Sequence, residues 1–309
     1  MTITTLTMTP SLDLFGTTDH LVEDAKTRCH ETGHEPGGGG INVARNLHFL
    51  GDRVRAVFPA GGSNGDRIES LLGGESVPCQ RIPVRNPTRQ NLALTETATD
   101  RMYHLVFPGT ELSEGEWQAC ESAVLDATQD ADYLVLSGSL PPGVPDDFYA
   151  RLGRQAAREG VRVVLDTSGR PLEPALESGV YLAKLNRKEL TQLGYTGNWD
   201  PGSQLDFMSG LVGEGMASLL VVTQGVEGAL MATGRGDRLR VLPPRVKVVS
   251  HVGAGDSFVS LMVHSLLRGG TDSEALAYGV AGAAAAISTP GNRIPERHNI
   301  DALLARLRR

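Results

Sequence analysis

The chain alternates between short, continuously apolar runs and longer stretches with helical periodicity. The runs are TITTLTM, RVRAVFPA, DYLVLSGS, VRVVLDTS, YLAKLN and SLLVVTQG, and their composition is typical of strands buried on both faces. Helical stretches such as INVARNLHFLG, DDFYARLGRQAAREG and KELTQLG end at or near a glycine, a common helix stop. Strand, helix and strand in repetition predict right-handed crossovers. We therefore expect a three-layer α/β core with a central, mostly parallel sheet.

Charge and apolar runs exclude several classes of partner. A net charge of -7 without a basic run leaves no broad positive surface for nucleic acid. The longest apolar run, 276–287, is too short to span a bilayer and predicts a buried helix. The N-terminal MTITTLTMTPSLD lacks signal-peptide features, and three scattered cysteines form neither a disulfide framework nor a zinc pattern. We expect a cytoplasmic enzyme with no nucleic acid or membrane partner.

Two segments, 12–35 and 88–107, interrupt the alternation. In the second, NLALTE and RMYHLVF have strand composition on either side of the polar turn TATD. Ligands of open α/β folds bind outside the carboxyl ends of the strands, where a small sheet can act as a lid. We expect a core of residues 1–11, 36–87 and 108–309 and a β lid of residues 12–35 and 88–107. An edge hairpin of the main sheet is an open alternative.

The turn Gly253-Ala254-Gly255-Asp256 directly precedes an apolar helical run. Small residues at a helix N-terminus let backbone N–H groups approach an anion. An aspartate there would repel a phosphate unless a hydroxyl lay between them. Asp256 could then accept the hydroxyl proton while the amides of the turn stabilise the transferring phosphoryl group. The alternative is that Asp256 only caps the helix.

Four consecutive glycines, Gly37 to Gly40, lead into a second helix with Asn42 in its first turn. The pattern is neither GxGxxG nor a Walker loop, so a dehydrogenase is poorly supported. Asn42 can both donate to and accept from a polyol, and glycines permit close backbone contact. The alternative is a flexible turn with a cap, which four glycines make costly in backbone entropy.

Taken together, the motifs resemble those of the ribokinase-like (PfkB) sugar kinases over almost the whole length. In chain order they are TMTPSLD, PGGGGINVAR, PAGG, TRQN, SGSLPPG, LDTSG, KLNRKEL and VGAGDS. Within the family the chain most resembles the minor bacterial 6-phosphofructokinases. The resemblance implies a ribokinase-like core, ATP and a phosphosugar as substrates, and Mg²⁺. We also expect a homodimer paired through the lids, or a larger even assembly, because pairing covers exposed strand edges.

The resemblance assigns Asp256 as the general base and Gly253, Ala254 and Gly255 as the anion hole. Positions that match contacts to the sugar or its phosphate are Asp13, Lys26, Arg28, Gly38, Gly39, Asn42, Arg89 and Ser139. Asp13 or Ser139 alone would be interpreted as a turn residue. The three cations alone would be interpreted as solvated surface charges.

The nucleotide side is assigned in the same way. Positions that match it are Lys184, Asn186, Thr223, Gly225 and Gly228, with Glu189 as the metal residue. Mg²⁺ keeps most of its waters, so Asn186 and Glu189 acting through water would suffice, although an NxxE spacing also arises by chance. The resemblance further implies a K⁺ site, whose neighbours would be Ser250, Val252, Ala286, Thr289, Gly291 and Arg293.

The residue at position 39 bears on the choice of sugar. The 1-phosphofructokinase and tagatose-6-phosphate kinase branches carry lysine there, as GGKG, whereas this chain has Gly39. A lysine would add a point charge to the sugar site. Its absence favours fructose 6-phosphate, with transfer to the C1 hydroxyl. The two other phosphosugar kinases are alternatives, as is a non-catalytic sugar-phosphate sensor, which would need no base beside an anion hole.

Some positions depart from the family pattern. Leu185 replaces a proline, Gln224 and Val226 alter the nucleotide loop, and His251 replaces a threonine, which leaves nucleotide preference and the cation site open. His104 replaces an arginine at a lid position associated with phosphate binding across a dimer. Because neutral histidine lacks the bidentate fork of arginine, we expect a weaker or more pH-dependent affinity for the phosphosugar.

Overall fold

A computed structural model describes residues 1–250, 252–289, 291 and 295–307. The strands are β1 (Thr2–Leu6), β2 (Ser11–Thr18), β3 (His30–Gly37), β4 (Arg53–Ala60), β5 (Cys79–Pro83), β6 (Gln90–Glu96), β7 (Arg101–Leu105), β8 (Tyr133–Ser137), β9 (Arg162–Asp166), β10 (Val180–Asn186), β11 (Ala217–Thr223), β12 (Ala229–Thr233) and β13 (Arg238–Val241). The helices are α1 (Gly39–Phe49), α2 (Gly62–Gly74), α3 (Glu114–Thr128), α4 (Phe148–Arg158), α5 (Leu172–Glu177), α6 (Arg187–Gln192), α7 (Pro201–Gly213), α8 (Ala254–Leu267), α9 (Asp272–Ile287) and α10 (Arg297–Leu307).

The main sheet has the strand order β13-β12-β11-β10-β9-β8-β1-β4-β5 within the described residues. In this order, neighbouring strands from β11 across to β5 pair in parallel. At the other edge, β12 and β13 continue the sheet in antiparallel pairing. Each apolar run named above contains one of the parallel strands, so the predicted mostly parallel sheet is confirmed. Strand β1 lies between β4 and β8. From β1 the chain adds β4 and β5 on one side, and it then continues on the other side of β1 with β8. This reversal opens a crevice at the carboxyl ends of β1 and β8.

Helices cover both faces of the main sheet and complete the three predicted layers. One buried apolar cluster joins the sheet to α3, α4, α5 and α7, and a second joins its other face to α1, α2, α8 and α9. The predicted buried helix at 276–287 lies within α9, which packs on α8. No helix in the described ranges has the length and apolarity needed to cross a membrane.

A separate four-stranded sheet has the order β3-β2-β6-β7. The pairs β2–β3 and β6–β7 are antiparallel, and β2–β6 is parallel. The segments NLALTE and RMYHLVF therefore do not form an edge hairpin of the main sheet, and that alternative is wrong. The edge strand β7 carries His104, which is exposed. Leu105, Val106 and Phe107 are between 50% and 58% exposed at the same edge.

A buried polar cluster anchors the C-terminal half of α8. His264 Nδ1 lies 2.6 Å from Asp52 Oδ2, in the turn between α1 and β4. Arg268 donates to Asp52 Oδ1 at 2.9 Å and, through Nε, to His264 Nε2 at 3.2 Å. Because Nε2 accepts, the imidazole proton is on Nδ1 and is donated to Asp52. The cluster fixes α8 against the turn that follows α1.

Replacing Asp52 with alanine is expected to lower the free energy of unfolding by about 3 kcal/mol. Loss of the carboxylate leaves a buried imidazole N–H without an acceptor, and the value is at the low end for a broken buried pair because Arg268 is half exposed. Urea unfolding measures the change. The matched control is Asp66→Ala, which removes an exposed carboxylate from Arg81 and should have little effect. Equal losses in the two variants would contradict the prediction.

Candidate active site

The carboxyl ends of β8, β9 and β10 meet the N-termini of α1 and α8 around one cavity. Its volume is about 270 Å³. It is lined by Gly39, Ser137, Gly138, Ser139, Asp166, Thr167, Ser168, Lys184, Glu189, Gly255 and Asp256. The cavity adjoins the crevice at the end of β8 and extends along the ends of β9 and β10, and the carboxyl ends of the strands are the usual ligand position in open α/β sheets.

The GAGD turn forms the beginning of α8. Gly253 is the N-cap, with φ of 73° in the left-handed region that favours glycine. Ala254, Gly255 and Asp256 are the first three helical residues, and N–H groups in a first helical turn have no intrahelical acceptor. Together with the helix dipole they make an anion site. Asp256 is not the capping residue, so the interpretation as an N-cap is wrong.

Asp256 is held by a residue from the glycine-rich motif. Its Oδ2 accepts a hydrogen bond from Asn42 Nδ2 at 2.7 Å. Burial and the nearby negative charges of Asp166 and Asp13 raise the pKa of Asp256 to about 6, although Asn42 and Lys184 act in the opposite direction. A carboxylate with this pKa is ionised at neutral pH and has more basicity than an ordinary aspartate. It is suited to act as a general base.

A buried ion pair lies across the cavity from this base. Lys184 Nζ donates to Asp166 Oδ1 at 2.7 Å. Burial lowers the pKa of Lys184, but Asp166, Glu189 and Asp256 outweigh it and the pKa is raised. A Cβ added at Gly255 would lie 3.2 Å from Nζ. The sequence therefore places a permanent positive charge beside the anion site.

The glycine run brings α1 into direct contact with strand ends and the base. Gly38 has φ of 113°, and a Cβ there would lie 2.5 Å from Thr7 Cγ2. A Cβ at Gly39 would overlap Ser137 Oγ and lie 3.2 Å from Asp256 Oδ1. These close approaches, rather than a need for a flexible turn, account for the glycines.

Asp13 lies within β2 and is 6% exposed. The interpretation of Asp13 as a turn residue is therefore wrong. Its Oδ1 accepts hydrogen bonds from Ser11 Oγ at 2.7 Å and Asn91 Nδ2 at 2.9 Å. A Cβ at Gly37 would overlap its carboxylate. The small sheet thus presents a fixed carboxylate next to the glycine-rich motif.

The three cations assigned to the substrate differ in their surroundings. Arg89 donates to the carbonyls of Phe107 and Thr9 at 2.6 and 2.9 Å. Burial lowers its pKa against the opposing effect of Asp13, so Arg89 is not a solvated surface charge. Lys26 and Arg28 are exposed between β2 and β3 and do not line the cavity. Ser139 does line it and is exposed.

The NxxE motif forms a capping box at α6. Asn186 Oδ1 accepts from the amides of Lys188 and Glu189, and the Glu189 carboxylate accepts from the backbone N and Nδ2 of Asn186 at 2.7 and 2.8 Å. Burial raises the pKa of Glu189, although Lys184 opposes the shift. A carboxylate offers about four acceptor positions, so Glu189 can still accept hydrogen bonds from water.

This donor set fits a hydrated Mg²⁺. No cluster of three or more His, Cys, Asp or Glu able to hold a metal occurs among the described residues. Mg²⁺ in phosphoryl-transfer sites takes few protein ligands and keeps waters and substrate oxygens. The capping box and the metal role are therefore compatible.

The loop that the resemblance assigns to the nucleotide lies beside the same motif. Thr223 pairs with Asn186 in the sheet, and its Oγ1 donates to the Leu185 carbonyl at 3.2 Å. Gly225 follows in a short 3₁₀ turn. Gly228 has φ of 91°, and a Cβ there would overlap the carbonyl of Val241.

Five of the six residues assigned to the cation site are described. Val252 N donates to Ser250 Oγ at 3.1 Å, and Gly291 packs against Phe15 of the small sheet. Ala286 and Thr289 are joined by a backbone hydrogen bond of 3.0 Å at the end of α9. Arg293 and His251 lie outside the described residues.

Sequence reasoning did not single out Asp166, Ser137 or Asn91 as site residues. Asp166 and Ser137 are the last residues of two buried strands. Because parallel strands end at one edge of the sheet, that position was a usable signal. Asn91 had none, since its contact with Asp13 depends on pairing between β2 and β6, which are distant in sequence.

Comparison with known proteins connects this geometry to one family. A model described as "pfkB family carbohydrate kinase" matches residues 6–299. The ATP-dependent 6-phosphofructokinase isozyme 2 of Escherichia coli K12 is 39% identical over 308 residues, which cover 99% of each chain. Crystal structures of Escherichia coli phosphofructokinase-2 match with TM-scores of 0.91 in complex with fructose-6-phosphate, at 37% identity, and 0.94 in complex with potassium, at 38% identity; each match covers 99% of both chains. The chain therefore belongs to the pfkB family of carbohydrate kinases, which transfer a phosphoryl group to a sugar hydroxyl.

Proposed function

We propose that the protein is an ATP-dependent 6-phosphofructokinase that phosphorylates the C1 hydroxyl of fructose 6-phosphate. The observation that carries the proposal is the position of Asp256, a base with a pKa of about 6 in the first turn of α8. Asp256 takes the hydroxyl proton, the C1 oxygen forms a bond to the γ-phosphorus, and the bond from that phosphorus to the bridging oxygen breaks. The products are fructose 1,6-bisphosphate and ADP.

The assigned residues in and around the cavity fall into groups with different roles in this reaction. The amides of Gly253, Ala254 and Gly255 and the ammonium of Lys184 stabilise charge on the transferring group. Asp13, Gly38, Gly39, Asn42 and Ser139 bind sugar hydroxyls, and Lys26, Arg28 and Arg89 bind the 6-phosphate. On the nucleotide side, Lys184, Asn186, Thr223, Gly225 and Gly228 contact ATP, and Glu189 would hold Mg²⁺ through water.

The small sheet is the second part of the proposal. Residues 12–35 and 88–107 form a lid over the sugar site, and the exposed apolar residues Leu105, Val106 and Phe107 at the β7 edge form a homodimer interface. The Escherichia coli relative has also been crystallised as a tetrameric inhibited form. The K⁺ site beside the GAGD turn is supported by the potassium complex of that relative. The free state of the three cysteines supports a cytoplasmic location.

Glycine at position 39 favours fructose 6-phosphate over the other two phosphosugars, because it adds no point charge to the sugar site, as a lysine would. A side chain at position 39 would overlap Ser137 Oγ, so this site cannot accept the lysine of the alternative branches without rearrangement. We expect kcat/KM for fructose 6-phosphate to exceed that for fructose 1-phosphate or tagatose 6-phosphate by about 10- to 100-fold.

Coupled ADP release with ATP and Mg²⁺ tests this expectation. The purified protein is assayed with the three phosphosugars and with unphosphorylated fructose as the control. Preference for another phosphosugar would preserve the mechanism and overturn the substrate. No turnover with any of the four sugars, together with an increase in Tm on adding a sugar phosphate, would support a sensor.

A further inference from the structure

Arg187 joins the NxxE motif to the nucleotide loop. It follows Asn186 directly, and its Nη2 donates to Gln224 Oε1 at 2.8 Å and to Glu227 Oε2 at 2.5 Å. The two acceptors belong to the loop 224–228, which connects β11 to β12. One guanidinium therefore holds both ends of the short 3₁₀ turn in this loop.

A third segment supports the same guanidinium. Arg187 Cζ lies 5.1 Å from the centroid of the Trp199 ring, within the range of a cation–π contact. Gln204, which is fully buried, donates through Nε2 to the Trp199 carbonyl at 2.9 Å and lies 3.4 Å from Gln224 Oε1. Tyr195 packs on Trp199 with ring centroids 5.1 Å apart. The guanidinium of Arg187 therefore packs against a ring that other side chains hold in place.

The exposed tip of the loop has few side-chain contacts other than those of Arg187. Gly225 and Gly228 both have positive φ, and Val226 between them is 91% exposed. Its backbone makes a tight turn, with Gln224 N bonded to the Gly228 carbonyl at 2.8 Å. The pairing of Thr223 with both Asn186 and Ala229 fixes the two ends of the loop, but it does not fix the Gln224 and Glu227 side chains at the tip. The side chain of Arg187 holds these two side chains and so joins the tip of the loop to the segment that follows Asn186.

We propose that Arg187 is a positioning residue that holds the tip of loop 224–228 against the segment carrying Asn186 and Glu189, so that both sides contact ATP at once. The inference rests on the proposed function, which assigns these segments to the nucleotide. A loop ordered before binding costs less conformational entropy on association. Because Arg187 is about one-third exposed, its contacts add little to global stability, and their effect falls on nucleotide affinity.

The first test is Arg187→Ala in steady-state kinetics. We expect the KM for ATP to rise by about 5- to 20-fold, as for loss of a charged hydrogen bond. The kcat and the KM for the sugar should change by less than about twofold, and Tm should stay close to that of the wild type. Arg187→Lys, which keeps the charge but loses the planar fork, should recover part of the affinity. The control is Arg238→Ala, which removes a comparable exposed ion pair with Asp206.

A double replacement separates positioning from direct contact with ATP. In the Gln224→Ala/Glu227→Ala background, adding Arg187→Ala should raise the KM for ATP no further. If the full effect of Arg187→Ala persists in that background, Arg187 binds the nucleotide itself and the positioning role is wrong. An unchanged KM for ATP in Arg187→Ala, or a parallel rise in both KM values with a fall in Tm, would also overturn it.

Trp199 provides a readout that does not depend on sugar turnover. The chain has two tryptophans, and Trp117→Phe leaves Trp199 as the sole reporter beside Arg187. ADP titration should change its fluorescence, with a Kd that rises in Arg187→Ala by about the factor seen in KM. If the wild type does not phosphorylate fructose 6-phosphate, this titration still decides the role of Arg187, so the two failures are distinguishable. An equal Kd for ADP with and without Arg187 would contradict the inference.

Discussion

The variant Asp256→Asn is expected to lower kcat by about 10²- to 10⁴-fold, the range typical of a lost general base. Asparagine has the same size, and its Oδ1 can still accept the hydrogen bond from Asn42. It cannot take the proton of the attacking hydroxyl. The KM values for both substrates should therefore change by only a few-fold, because binding contacts remain.

The control for this variant is Asp272→Asn. Asp272 is also an aspartate in a first helical turn, that of α9, but it does not line the cavity and its partner Arg235 is exposed. Its replacement should leave kcat within about twofold. A loss of less than tenfold in Asp256→Asn would exclude Asp256 as the base.

The same carboxyl group determines the expected pH dependence. The base acts only when ionised, and its pKa is raised to about 6. The kcat/KM of the wild type should therefore rise with pH through about 6 and level off above pH 7. In Asp256→Asn, the residual kcat/KM should no longer rise with pH through about 6.

Unfolding cannot account for the lower kcat of Asp256→Asn at pH 7, because the replacement is expected to raise the free energy of unfolding there. The folded-state pKa of Asp256 lies above its ordinary value, so its stabilising contribution is present at pH below 3.8 and is lost as pH rises through about 6. At pH 7 the ionised group costs up to about 3 kcal/mol. Urea unfolding of Asp256→Asn should show equal or higher stability than the wild type at pH 7.

Local composition predicted the core because its strands are buried on both faces. YLVLS in β8, for example, is buried at every position, which local composition can indicate. The small sheet was harder, since β3 has the polar sequence HETGHEPG with three exposed residues at its start. The strands β12 and β13 were not predicted; RLRV alternates between exposed and half-buried positions and is too short for a periodic signal.

In the candidate site as well, the sequence predicted the local motifs but not the contacts between distant segments. The GAGD and GGGG motifs indicated Asp256 and Asn42 separately, because each lies at the beginning of a helix. Their direct hydrogen bond joins residues 214 positions apart, and such a contact is set by tertiary packing. The ion pair between Asp166 and Lys184 was missed for this reason, since it depends on the pairing of β9 and β10.

Replacing that lysine gives the second large effect. In Lys184→Met the side chain keeps its length but loses its charge, so Asp166, Glu189 and Asp256 face one another without the cation that lowers the pKa of Asp256. We expect kcat to fall by about 10²- to 10³-fold, as for loss of a transition-state donor.

The pH limb of kcat/KM in Lys184→Met should also move above 6, because the three carboxylates repel each other. The free energy of unfolding at pH 7 should fall by about 3 kcal/mol, since one partner of a buried ion pair remains. The control is Lys188→Met, which removes an exposed lysine from the same helix-and-strand segment and should change neither quantity. Adding Asp166→Asn to Lys184→Met should restore most of the stability but not the rate, because the uncompensated carboxylate is then neutral while the positive charge beside the anion site is still missing. A pH limb that stays at about 6 in Lys184→Met would show that the lysine does not set the basicity of Asp256.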